Sequence, residues 1–183
     1  MTYENANALL NDLVTRGFVR EAPVDVDSIA ALLNLDVEYD ARLQDDDITG
    51  RIEFKESGAV IAINPFDNAY EPRRRFTLAH EIGHYCLHSN TEHTAFVDSR
   101  STMSRSSSYW DPYESEANNF AAQLLMPADL VATIGLSVIQ AYVADRSDST
   151  GMPTTQFVEQ MAHRFGVSKP AMEYRLKAMG LVK

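Results

Sequence analysis

Two histidines and a glutamate on one stretch of predicted helix are the residues whose types and spacing point most directly to chemistry. His80, Glu81 and His84 form an H-E-x-x-H pattern. Residues four apart on an α-helix differ by about 40° in direction and about 6 Å in height, so both imidazoles can reach one ion. The spacing therefore predicts a zinc site. Glu81 lies on the flank of the pair, where its carboxylate can take a proton from the water that zinc activates.

A catalytic zinc site needs a third protein ligand, which must come from elsewhere in the chain. Position 90 is Asn, which excludes the metzincin pattern with a further histidine six residues after His84. Three ligands that included His88 would spread over about 12 Å of one straight helix, too far for a single ion. We therefore expect His88 and His93 on the surface or in a lid.

A carboxylate of the next predicted helix is the better candidate for the third ligand. The mean direction of the apolar side chains of that helix lies roughly 50° from Glu114 and roughly 110° from Glu116. Glu114 is thus predicted to face inward as a ligand and Glu116 to be solvated, with Asn118 placed to hydrogen-bond a ligand. An alternative stays open, because Asp111 to Glu114 also fits a capping box in which Glu114 bonds back to the backbone.

The helices and strands that position these residues follow from hydrophobic periodicity. An amphipathic helix is predicted from about residue 3 to 16, and a short second helix begins after Asp25 as N-cap. Residues 48–55 alternate with period two, and residues 59–63 are apolar throughout, which together predict a hairpin.

Four further helices and one long loop are predicted in the rest of the chain. Helices are expected over residues 71–88 and from Pro112 to Pro127, and again over 154–165 and 169–179. Ser89 to Trp110 is rich in Ser and Thr and poor in periodic apolar positions, which predicts a mobile surface loop and a possible lid. Cys86 points away from His84 around its helix and is expected to be a small packed side chain.

Composition narrows the classes of function. The chain has 183 residues with 45% hydrophobic content, one cysteine and a formal net charge of -10. We expect no membrane span and no secretory signal, which favours the cytoplasm. The net negative charge disfavours broad binding to nucleic acids and is more compatible with a basic protein partner.

Several motifs together resemble the ImmA/IrrE family of metallo-endopeptidases. They are Arg75 to His84, the later Glu114-x-x-Ala117-Asn118, and Leu124-Leu125-Met126-Pro127. The resemblance implies a gluzincin-like fold with zinc held by His80, His84 and Glu114, and with Glu81 as the catalytic base. It also implies a protein substrate, often a helix-turn-helix transcriptional repressor whose cleavage switches on stress, phage or mobile-element genes. Manganese could replace zinc in vitro.

The predicted fold class is α+β. A small antiparallel sheet of about three strands packs on a zincin-type helical core, and a C-terminal helical pair resembles a helix-turn-helix. We expect a metallopeptidase domain over 1–150, with the lid at 89–110, and a helical subdomain over 151–183 packed on it.

Two other functions remain open. One is a non-catalytic zinc-containing module that binds a repressor or toxin. The other is a DNA-binding regulator acting through the basic side chains of the tail, Arg164, Lys169, Arg175 and Lys177.

Overall fold

The fold is seen in a computed structural model that describes residues 2–99, 111–144 and 151–182. The described residues form an α+β fold of seven α-helices, four β-strands and a short 3-10 helix at Ala41–Gln44, as the predicted class requires. In chain order the elements are α1 (Ala6–Thr15), α2 (Val26–Leu32), β1 (Asp36–Tyr39), β2 (Ile48–Lys55), β3 (Gly58–Ile63), α3 (Glu71–His88), β4 (Ala95–Ser99), α4 (Pro112–Leu125), α5 (Ala128–Ala144), α6 (Thr154–Phe165) and α7 (Lys169–Ala178).

The sheet has the strand order β1-β3-β2-β4. The predicted hairpin is present, with β2 antiparallel to β3, and β4 is antiparallel to β2. β1 is parallel to β3, so the sheet is mixed and has four strands where we expected about three antiparallel ones. β1 gave little signal because it has only four residues, too few for the alternation of polar Asp36 and Glu38 with apolar Val37 and Tyr39 to stand out.

β4 corrects the loop predicted for Ser89 to Trp110. Residues 95–99 pair with β2 at the edge of the sheet, and Phe96 and Asp98 face inward while Val97 is exposed. The side chains alternate with a period of two, but one inward position carries a carboxylate. A search for alternating apolar residues therefore does not detect this strand. The rest of the predicted lid, residues 100–110, lies outside the described residues.

α3 is the helix predicted over 71–88, with Pro72 in its first turn. It packs against both the sheet and α4. A Cβ on Gly83 would lie 3.2 Å from the Cα and from the carbonyl oxygen of Ala117. Glycine therefore allows α3 and α4 to approach closely, which brings the side chains of the two helices to a common site.

A buried polar link fixes β2 on α3 beside the H-E-x-x-H turn. The side-chain amide of Asn68 donates to the carbonyl oxygen of Thr49 at 2.9 Å. The Asn68 carbonyl oxygen accepts from the Thr77 hydroxyl at 2.7 Å. One side chain thus joins the strand to the helix, and each of these buried groups has its hydrogen bond.

The C-terminal helical pair, α6 with α7, docks on the start of α3. The chain turns at Gly166, whose φ of 60° lies in the left-handed region, and Ser168 caps α7. Arg75 donates to the carbonyl oxygens of Gly166 and Val24 at 3.2 and 2.8 Å. These bonds tie the pair to the rest of the fold, while the boundary at residue 150 stays a prediction.

Among the described residues, no single helix is both long and apolar enough to cross a membrane. α4 and α5 satisfy that criterion only when taken together, and they meet at a 45° bend.

Candidate metal centre

Four side chains from three elements meet between α3, α4 and β4. They are His80 and His84 of α3, Asp98 of β4 and Glu114 of α4, and we call them the metal cluster. One potential ligand atom from each lies within 4.8 Å of all the others, and all four residues are buried. The structure therefore brings together the three predicted ligands and adds a carboxylate that the sequence analysis did not consider.

The distances within the metal cluster suit a small divalent ion. Nε2 of His80 lies 3.0 Å from Nε2 of His84 and 3.1 Å from Oδ2 of Asp98. Glu114 places Oε2 at 3.3 Å from His80 Nε2 and Oε1 at 3.2 Å from His84 Nε2. Ligand atoms about 2.05 Å from a tetrahedral zinc ion stand about 3.3 Å apart. Nitrogen and carboxylate donors at this spacing fit such an ion.

Asp98 was missed because its place depends on strand pairing. It stands opposite Gly50 in the register of β4 and β2, and its Oδ2 is 3.9 Å from Nε2 of His84. The signal available in the sequence was the alternation of Phe96, Val97 and Asp98, which predicts that the two outer residues share a face. Nothing local shows that this face covers α3.

Glu81 is fully buried beside the metal cluster, and neither of its carboxylate oxygens receives a hydrogen bond from a donor among the described residues. Burial, followed by the negative charge of Asp98, raises the pKa of Glu81 well above its usual value. A carboxyl group poised in this way suits proton transfer. The role of Glu81 as the catalytic base stays a prediction.

The electrostatics of the metal cluster favour a cation. Burial lowers the pKa of His80, but the hydrogen bonds that its imidazole donates to Asp98 and Glu114 outweigh burial and raise that pKa to about 10. Burial opposes ionisation of Glu114, yet the two histidines hold its pKa below the usual value. Burial lowers the pKa of His84. The carboxylates thus draw positive charge into the site, which a bound divalent ion would supply.

Asn118 contacts the first histidine of the motif. Its Oδ1 lies 3.1 Å from Nδ1 of His80, and both side chains are buried. If Nε2 of His80 faces an ion, Nδ1 carries the proton and donates to Asn118. This is the contact predicted for Asn118.

His88 corrects the expectation of a surface residue. It is only 3% exposed, and its Nδ1 lies 3.0 Å from Nδ1 of His84. Its Nε2 contacts Oε2 of the exposed Glu116 at 3.0 Å. With Nε2 of His84 facing an ion, Nδ1 of His84 donates to His88, which in turn donates to Glu116. His88 therefore orients a predicted ligand, and Glu116 is solvated but engaged.

Aromatic rings close the outer side of the metal cluster. Phe96 of β4 stacks on His84 with ring centroids 4.2 Å apart and planes inclined by 16°. Tyr113 meets the rings of His88 and His93 at 4.9 and 5.1 Å. These contacts hold β4 and the start of α4 against α3.

The capping alternative for Glu114 is not the arrangement observed. Asp111 caps α4 by accepting from the backbone N–H of Tyr113 at 2.9 Å, while the carboxylate of Glu114 turns toward the two histidines. The predicted direction of Glu114 is therefore correct.

Cys86 is fully buried, as expected.

Comparison with known proteins agrees with this geometry. The peptidase family model described as the IrrE N-terminal-like domain matches residues 37–177, which include the whole metal cluster. The chain belongs to this family. The resemblance noted from the motifs is thereby confirmed, and the family supports a metallopeptidase in which the metal cluster is a candidate metal site.

A relative from Bacillus phage phi105, the "Uncharacterized immunity region protein 2", is 36% identical over 81 residues. The alignment covers 44% of this chain and 46% of the relative, so it spans about half the length of that protein.

Proposed function

We propose that this chain is a zinc-dependent endopeptidase that cleaves a protein partner. The observation that carries the proposal is the fully buried carboxylate of Glu81, which has no donor in the part of the chain that the structure describes and lies beside two imidazoles and a carboxylate at metal-ligand spacing. Burying such a group without a donor costs free energy, so its presence in a folded protein indicates a functional role. Family membership supports the same class of reaction.

Each residue has a defined task in this proposal. His80, His84 and Glu114 hold the ion. When bound, zinc lowers the pKa of a water molecule and polarises the carbonyl of the scissile peptide. Glu81 takes the proton from the attacking water and delivers it to the leaving amine. Asn118 and His88 keep the imidazoles in the tautomer that presents Nε2 to the ion.

The proposed substrate is a helix-turn-helix transcriptional repressor, whose cleavage would relieve repression in a stress, phage or mobile-element response. Two observations support this choice. The relative from phage phi105 is named for an immunity region. The net charge of -10 suits a basic protein partner such as a DNA-binding repressor, and we propose that both proteins meet in the cytoplasm.

Replacement of the proposed base tests the reaction. Glu81→Gln should lower the rate of cleavage by about 10²- to 10⁴-fold, since an amide cannot accept the proton. Metal analysis should show the same zinc content as in the wild type, because the ligands are untouched. The assay is co-expression with a candidate helix-turn-helix repressor, followed by detection of a truncated product. Glu92→Gln, at an exposed glutamate, is the matched control.

A non-catalytic zinc-containing binding module is the second candidate, and Asp98 favours it. Four protein donors around one ion are typical of structural zinc sites, whereas catalytic sites keep one position open. If Glu81→Gln behaves like the wild type in every functional assay, this candidate replaces the peptidase.

DNA binding by the tail is not favoured, because three of its basic side chains are engaged within the chain. Lys169 pairs with Glu159 at 3.4 Å and Lys177 pairs with Glu173 at 2.9 Å. Arg175 donates to the carbonyl oxygen of Met126 at 3.0 Å. A gel shift that weakens with salt would revive the DNA-binding candidate.

A further inference from the structure

We infer that Asp98 is a fourth, displaceable metal ligand that keeps the centre closed until β4 moves away. The inference rests on the proposed function and adds a means of regulation to it. It predicts a resting protein that holds its metal but has no position for substrate, and a protein partner that opens the site by displacing the edge strand.

The first argument is the shape of the metal cluster. Oδ2 of Asp98 lies 3.1 Å from Nε2 of His80, close to the 3.3 and 3.2 Å separations that involve Glu114, and 3.9 Å from Nε2 of His84. Four protein side chains are thus near enough to one another to fill the four positions of a tetrahedral ion. A catalytic site needs one of those positions for water or for the substrate carbonyl. Among the four side chains, one must therefore leave before turnover.

The second argument is the position of Asp98 relative to the proposed base. Asp98 stands opposite Gly50, and the Cα of Gly50 lies so close to Glu81 that an added Cβ would be 2.6 Å from its Oε1. The strand position opposite Asp98 therefore borders the proposed base, which puts Asp98 close to the space that the attacking water requires.

The third argument is that Asp98 has the least firmly held backbone of the four. His80 and His84 lie in the middle of α3, and Glu114 lies within α4. β4 has five residues at the edge of the sheet and, among the described strands, pairs with β2 alone. Its register shifts between Ile48 and Gly50, next to Asp98, so the ladder is irregular where release is required.

Phe96 sets the barrier to this release. Its ring stacks on His84 two residues before Asp98, and it is 8% exposed. Withdrawal of Asp98 along with β4 exposes that ring, which opposes spontaneous opening. A partner that covers Phe96 while it displaces β4 would remove this opposition. The closed state would thus be held by the bond of Asp98 to a bound ion, by the ring contacts of Phe96 and by the pairing of β4 with β2.

The test measures coordination instead of turnover. Protein loaded with Co²⁺ is titrated with acetohydroxamate, a small chelating probe, and the visible absorption of the ion is followed. The wild type should bind the probe weakly, whereas Asp98→Ala should bind it at least tenfold more tightly, a difference of about 1.4 kcal/mol. Asp98→Ala should also hold Co²⁺ about tenfold or more less tightly, since even outer partners of a ligand contribute that much.

Two further variants keep the test decisive. Asp98→Asn retains the shape of the side chain and should shift the spectrum in the same direction as Asp98→Ala. It replaces the Ala variant in the test if that variant does not fold. Val97→Ala changes the exposed neighbour on the same strand and should behave as the wild type.

The outcomes separate this inference from the proposed function. If the wild type binds acetohydroxamate as tightly as Asp98→Ala does, the site is already open and the inference is wrong, while the peptidase proposal stands. If the wild type binds no Co²⁺, both are wrong.

Discussion

The metal cluster and the C-terminal helical pair are similarly buried, yet their interiors have opposite chemistry. α6 and α7 bury apolar side chains, among them Met161, Phe165 and Leu176, which are fully inaccessible. The metal cluster buries imidazoles and carboxylates, with Glu81 beside them. Apolar burial stabilises the fold by itself, whereas buried ionisable groups oppose folding until a counter-charge is present. The comparison predicts that the stability of the helical pair does not depend on a bound metal, whereas the stability of the metal cluster does.

The largest effect is expected from an apolar truncation in the helical pair. Phe165→Ala should lower the free energy of unfolding by about 3–5 kcal/mol, since it empties a fully buried aromatic site. Urea unfolding measures the loss, and zinc affinity should stay unchanged in the folded variant. The exposed Gln160→Ala on the same helix should shift stability by no more than about 0.5 kcal/mol. A large loss of zinc affinity in Phe165→Ala would show that the two regions are coupled.

Added zinc should stabilise the protein through the metal cluster by about as much as Phe165→Ala destabilises it. At a free concentration about 1,000 times Kd, zinc should stabilise the metal-free protein by about 4 kcal/mol, because it binds the folded chain in preference to the unfolded one. Thermal unfolding with and without the ion measures this gain. His84→Ala should abolish most of it, while Phe165→Ala should keep it. Equal stabilisation of His84→Ala would place the ion elsewhere.

A single methyl group should disturb the base without disturbing the ligands. The Cβ introduced by Gly50→Ala would lie 2.6 Å from Oε1 of Glu81 and 2.7 Å from Cγ2 of Thr77, so Glu81 must shift. We expect about a hundredfold loss of cleavage rate, the effect of a misplacement on the order of 1 Å, with zinc content retained. Gly151→Ala, whose Cβ meets no atom within 4 Å, is the control. Full activity of Gly50→Ala would contradict the placement of Glu81.

The smallest effect is expected from replacing Asn118, which contacts Nδ1 of His80. Asn118→Ala removes the partner of His80 Nδ1 and should weaken zinc binding by about 10- to 100-fold. Competition with a chelator measures the affinity. Asn119→Ala, the exposed neighbour on α4, should leave it unchanged. Equal affinities for the two variants would mean that Asn118 does not orient the ligand.

Local patterns were enough to predict most of the elements. The bounds of α3, the hairpin of β2 and β3, and the helices α6 and α7 follow from periodicity and from capping residues such as Asp25 and Ser168. β1 and β4 escaped because each is short and carries polar residues, so their stability comes from pairing with distant strands. Such pairing is not encoded in a window of neighbouring residues.

The sequence by itself determined the H-E-x-x-H turn, the inward direction of Glu114 and the outward direction of Glu116, because these depend only on helical geometry. Only the tertiary structure decided that Asp98 joins the metal cluster and that His88 is buried behind His84. Both placements require the register of β4 on β2 and the packing of that sheet and of α4 against α3. Contacts between residues far apart in the chain set that register, and spacing along one helix carries no information about them.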